Sequence, residues 1–143
     1  MLIQDGFKST LDKVDAVFHS EKDPLQKVHG FICSILSIMQ SMPPLRALDE
    51  VIMFHTEWKE KLEDVYNYYF EVVNNMKGQL ESTLSEAIES GQISDNYDLS
   101  AYTLSVLSYI GGIKSSWLLD LSLESHKPET LADIFINGLK NRS

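Results

Sequence analysis

Apolar side chains recur along this chain at spacings of three and four, and no stretch alternates strictly enough to read as a strand. Over residues 4–21, Phe7, Leu11, Val14 and Phe18 make one apolar stripe, with lysines and aspartates opposite it, which predicts a surface helix with one buried side. "DPLQ" at 23–26 then starts a second helix: Asp23 as N-cap, Pro24 at the first helical position, and Gln26 where a capping box needs its reciprocal partner. From Val28 to Leu45 the chain carries no charged side chain. The serines, the glutamine and the Pro43-Pro44 stop separate this run from a membrane span, so it is expected to be a core helix ending near Ser41. A third helix, "LRALDEVIMFHTEW" (45–58), is expected after Pro43-Pro44, with Leu48, Val51, Ile52 and Phe54 inward and its boundary to the next near 59–63. The fourth is long, its stripe running through Val65, Tyr69, Val72, Met76, Leu80, Leu84 and Ile88 and its end set by Gly91. Asp98 caps a fifth helix from Leu99 to about Leu121, and Pro128 opens a short sixth through Leu131, Ile134, Phe135 and Leu139. The expectation is an all-α, six-helix domain spanning residues 1–143.

The fifth helix poses a problem. Gly111 and Gly112 sit in its interior, where each glycine costs roughly 0.5–1 kcal/mol against alanine. Ala101, Ser105, Ser108, Gly112 and Ser115 fall on one face, giving a continuous stripe of small side chains along which another helix can approach closely. Val106, Ile110, Ile113 and Trp117 mark a second side, and Leu104, Leu107, Leu118 and Leu121 a third. A helix apolar nearly all round is expected to be buried on several sides. The stripe has two possible occupants: another helix of the same chain, or the same surface of a second copy.

Charge removes one class of function. The 143 residues carry a net charge of −9, and residues 45–98 alone account for −8 of it. No cluster of Lys and Arg exists to neutralise phosphates, so this segment is not expected to contact nucleic acid. The single cysteine, Cys33, rules out an internal disulfide framework and suits a reducing compartment. The opening "MLIQDGFKST" does not read as a secretory signal, so a cytoplasmic location and no membrane association are expected.

The order of motifs adds a family. "GQISDNYDLSAYTLSVLSYIGGIKSSWLLD" (91–120), followed by "PETLADIFINGLK" (128–140), resembles the C-terminal region of TetR/AcrR-family transcriptional regulators. "DPLQKVHGFI" (23–32) is similar to the family's capped central helix, and "VIMFHTEW" (51–58) to a segment of the AcrR-like, multidrug-responsive branch. The resemblance implies a regulatory domain whose last two long helices form a four-helix dimer contact with their partners. Residues 4–21 would then be the connecting helix, 23–98 the core and pocket helices, and 99–143 the dimerisation helices. A helix-turn-helix head, which would carry the DNA contact, is not expected within these residues, whether through truncation or in a naturally headless relative. On this reading Ala101, Ser105, Ser108, Gly112 and Ser115 join Leu131, Ile134 and Phe135 in a homodimer interface.

The resemblance also implies a pocket for a small hydrophobic effector, a concave apolar site with a few polar groups. Candidate lining is Phe31, Ile35 and Met39 on the second helix, and Phe54, His55 and Trp58 on the third. Tyr66, Tyr69, Phe70 and Met76 extend it along the fourth, and Tyr109, Ile113 and Trp117 would close it from the fifth. Methionine and aromatic side chains repack around dissimilar guests, as a permissive sensor requires. His29 and His55 are the candidate polar contacts. His55 and Glu57 stand two apart on a helix and do not face each other, so no metal and no other cofactor is expected. Cys33 has no adjacent Lys or Arg to activate it and reads as a small buried apolar residue. No nucleophile with its base, no phosphate loop and no paired inward carboxylates appear, so an enzyme is not expected. Two alternatives remain at this stage: a headless dimerisation antagonist that binds no ligand, and a helical haem protein with His29 or His55 as axial ligand.

Overall fold

The computed structural model describes residues 12–41, 63–119 and 126–140. Among them five helices are present: α1 (12–18), α2 (Pro24–Ser41), α3 (Glu63–Glu89), α4 (Leu99–Leu119) and α5 (Pro128–Leu139). The expected third helix (45–58) lies outside the described residues, as do Phe7 and Leu11 of the first stripe.

The 18-residue α2 is the axis of the domain. It packs against α3, α4 and α5, and Val28, Ile32 and Leu36 are fully buried along it, with Leu25, Phe31, Ile35, Ile38 and Met39 nearly so. Each such side chain contributes roughly 1.5–3 kcal/mol through its removal from water. The charge-free run after Lys27 is therefore an interior helix. α5 lies antiparallel to it, since His29 reaches Asp133 near one end and the Gln40 side chain donates to the His126 carbonyl near the other, at 2.9 Å.

α1 closes on α2 through Phe18 and Phe31, whose ring centres stand 5.4 Å apart. The close approach here is made by Gly30: a methyl group added to it would meet Val17 Cγ1 at 3.0 Å. α1 stops at residue 18, three residues before the expected end at 21. His19 Nδ1 and Ser20 Oγ bond back to the Asp15 and Val17 carbonyls, at 2.8 and 2.7 Å, and the coming Pro24 disfavours helix at the residue before it.

The helix ends obey local rules. Asp23 Oδ1 accepts the Gln26 N–H at 2.9 Å, and Gln26 Oε1 accepts the Asp23 N–H at 3.2 Å, completing the capping box. α3 ends in a Schellman turn: Gly91, with φ of 78°, donates to the Ile88 carbonyl, and Gln92 donates to that of Ala87. Along α3, Val72, Leu80 and Leu84 of the expected stripe are buried, while Met76 and Ile88 are half-buried. Asp98 Oδ1 caps α4 by accepting the Ala101 N–H at 2.8 Å and the Ser100 hydroxyl at 3.0 Å.

α4 departs from expectation. Tyr102, Val106, Ile110 and Trp117 are buried against the rest of the chain, but Leu104 is 66% exposed. Among the described residues this helix is covered on one side and not on several. Its inward side meets α2 and α3, and the opposite side carries the small residues.

Two outcomes follow from these contacts. Gly30→Val should cost about 1–3 kcal/mol, because the added methyls drive into Val17; urea melts of both proteins check it. The hydrogen bonds from Ala101 and Ser100 hold the Asp98 carboxyl below its ordinary value of 3.8. Its charge therefore stabilises the fold above the carboxylate range and ceases to do so as pH falls through the lowered folded value. Asp98→Asn should melt earlier than wild type at neutral pH and converge with it in strong acid, as thermal scans across that pH range would show.

Candidate functional site

Three groups of residues carry the functional expectations. The first is the apolar cluster. Phe31, Ile35 and Met39 from α2 meet Trp117 from α4 in one buried core, and Met76, Tyr109 and Ile113 pack half-buried at its margin. Phe70 stands 48% exposed on α3. Phe54, His55 and Trp58 lie outside the described residues, and of Tyr66 and Tyr69 only the backbone, within α3, is described. Tyr109 has a specific tie. Its hydroxyl donates to the Leu131 carbonyl at 2.7 Å, and its ring stacks on Phe135 with centres 4.7 Å apart. Burial raises its pKa, so the phenol remains a donor, and it pins α4 to α5. The resemblance set Tyr109 among the pocket lining, and nothing in the sequence pointed to this bond.

The second group is the small-residue stripe. Ala101, Ser105, Ser108 and Gly112 are exposed and Ser115 is half-buried. A methyl built at Gly111 or Gly112 would meet nothing within 4 Å. The stripe is therefore not filled by the chain's own helices as described. Ser105 Oγ donates to the Ala101 carbonyl at 2.8 Å and Ser116 Oγ to that of Gly112 at 2.9 Å. Those hydroxyls are satisfied within the helix, which leaves a smooth surface. On α5, Leu131 and Phe135 are half-buried against Tyr109, whereas Ile134 is 62% exposed.

The third group went unnoticed in the sequence. His29 and Cys33 stand four apart on α2, and Glu129 and Asp133 four apart on α5; antiparallel packing brings the two pairs together. His29 Nε2 lies 2.7 Å from Asp133 Oδ1, and His29 Nδ1 lies 3.8 Å from Cys33 Sγ. A proton on Nε2 serves the carboxylate and leaves Nδ1 to accept from the thiol. The arrangement has the order of a Cys-His-Asp hydrolytic site but the wrong electrostatics. Burial pushes the Cys33 thiol up to about 11, with Glu129 and Asp133 adding to the rise and Lys22 opposing it. A thiol so held stays protonated at neutral pH and is a poor nucleophile. The matching i, i+4 pairs were the available signal; their juxtaposition required the fold. Among the described residues no group of three His, Cys, Asp or Glu side chains is placed to hold a metal.

Beside this cluster opens a groove of about 460 Å³. Leu25 and Ile136 line its apolar side, with Gly30 between the helices. His29, Asp133 and Gln92 form polar walls, and Lys22 and Lys140 also border the space. Of the residues expected to meet an effector, His29 alone lines it. Cys33 should react slowly with iodoacetamide at neutral pH, and Glu129→Gln with Asp133→Asn should speed the reaction; thiol alkylation followed by mass spectrometry reads both rates.

No described helix is long and apolar enough to cross a membrane. No curated protein and no solved structure matches the chain significantly. A family model does: residues 23–140 match the C-terminal region of the MAATS-type transcriptional repressors. That span runs from the Asp23 cap of α2 to the end of α5, and its all-helical architecture is the one described above. The chain thus belongs to the TetR family of transcriptional repressors, as a C-terminal regulatory domain.

Proposed function

We propose that this domain senses a small hydrophobic effector and dimerises, and that it thereby governs DNA binding by a helix-turn-helix head. The observation that carries this reading is the outward small-residue seam of α4, open at Gly112 and accompanied by the exposed Leu104 and Ile134. Exposing large apolar side chains next to a seam that admits close helix approach suits a self-complementary contact, in which α4 and α5 of one subunit meet the same pair of the other. The Tyr109 bond and the Tyr109–Phe135 stack hold α4 and α5 together as one surface.

The effector chamber belongs on the other side of α4, among Phe31, Ile35, Met39, Met76, Ile113 and Trp117, completed by Phe54, His55 and Trp58. Output goes through α1. Three contacts couple it to the core: the Phe18–Phe31 ring pair, the Gly30–Val17 crossing, and a 2.7 Å hydrogen bond from Gln79 Nε2 to Asp15 Oδ1. An effector that binds one tilt of α1 better than another shifts the spacing of paired heads by that difference in affinity.

Light scattering on the wild-type domain at micromolar concentration should give twice the chain mass. Gly112→Leu, which fills the seam at an overpacking cost of about 1–3 kcal/mol per subunit, should move the population toward monomer. A wild-type monomer, or a variant still fully dimeric, overturns the assignment of the interface.

A further inference from the structure

We infer that Gln79 is the polar anchor of the effector chamber, and that the effector is a neutral apolar molecule carrying one hydroxyl or N–H donor for the Gln79 side-chain oxygen. The inference rests on the effector reading above. It adds the chemistry of the ligand and the residue that passes its binding to α1.

The ligand class follows from how the interior's hydrogen bonds are spent. Among the described residues the buried polar side chains are Thr83 and Thr103, and no charged side chain is buried. Their hydroxyls donate to carbonyls four residues back, those of Gln79 and Leu99, each at 2.9 Å. The Tyr109 hydroxyl is taken by Leu131. Gln79 Oε1 is the buried side-chain polar atom left without a partner among these residues. Its orientation is forced. The Asp15 carboxylate only accepts, so the amide turns its nitrogen there: Nε2 donates to Asp15 Oδ1 at 2.7 Å and to Asn75 Oδ1 at 3.2 Å. Both amide hydrogens are spent on those bonds, and the oxygen cannot turn away without breaking them. A buried acceptor that lacks its bond is costly, so a guest that brings a donor gains at this atom. An interior without a buried charge favours a neutral guest over an ion.

The position ties Gln79 to both ends of the proposed signal. Gln79 follows Met76 by three residues on α3, and Asp15 precedes Phe18 by three on α1, and residues so spaced are neighbours on a helix. Met76 packs against the apolar core, and the Phe18 ring packs on Phe31. A donor seated on Oε1 polarises the amide and strengthens what its nitrogen gives to Asp15. The guest therefore favours the position of α1 in which that bond is made.

The probes are indole and benzothiophene, which share a shape and differ in the N–H. In NMR titrations of the full chain, indole should bind about tenfold tighter than benzothiophene. It should also move the Gln79 side-chain amide signals, assigned by through-bond correlation to their own backbone, a readout that needs no variant. In Gln79→Met indole should fall to the level of benzothiophene, whose own affinity stays as in wild type. Equal binding of the two probes to wild type, with shifts around Phe31 and Trp117, would remove the anchor and leave the chamber standing. So would a preference for indole that survives in Gln79→Met, or that leaves the Gln79 amide signals unmoved. Neither probe moving the signals of Phe31, Met76 and Trp117 would overturn the chamber and the anchor together.

Discussion

Burial of α2 is the constraint from which the rest of the domain follows. A helix whose final four turns carry no charge has to be covered on most sides, and each neighbour is fixed by how it covers it. α1 contributes Phe18 and makes its approach at the one α2 position without a side chain, Gly30. α5 supplies the fully buried Ala132 and nearly buried Ile136, and it is held in register by His29–Asp133 at one end and Gln40–His126 at the other. α4 turns Val106, Ile110 and Trp117 inward. The apolar demand sets the positions and the hydrogen bonds set the register.

α4 shows where that demand ends. Its inner side satisfies the core, and its outer side retains Leu104 and the two glycines. Among the described residues a side chain built at either glycine would meet nothing, so their cost in helix propensity is not offset by a contact there. Gly30 makes the contrast plain: there the missing side chain is explained within the chain.

Much of this was legible from spacing. The caps at Asp23 and Asp98, the stop at Gly91, the start at Pro128 and the buried stripe of α3 each follow from rules that act within one turn of helix. What was not legible depends on which surfaces meet. α4 was expected to be covered on several sides because hydropathy counts apolar residues without knowing how many neighbours arrive. Tyr109 was read as lining because a sequence does not reveal that its hydroxyl meets the Leu131 carbonyl, 22 residues away. The His29–Asp133 contact joins positions 104 apart, and neither residue signals the other until α2 and α5 are laid antiparallel.

That antiparallel pair gives the domain a mechanical property worth drawing out. α5 is bound on its inner side to α2, through Ile136 and the His29–Asp133 contact, and it presents Ile134 on its outer side. A change in the spacing of α2 and α5 therefore displaces the exposed surface of α5, with no need for a relay of side chains through the core. α4 follows, because Tyr109 holds it to the Leu131 carbonyl. α2 in turn is coupled to α1 at Gly30. The inner core, the outward face of α4 and α1 thus share one rigid member. Any guest that favours one position of α2 over another acts on all three at once, and by no more than its difference in affinity for the two positions.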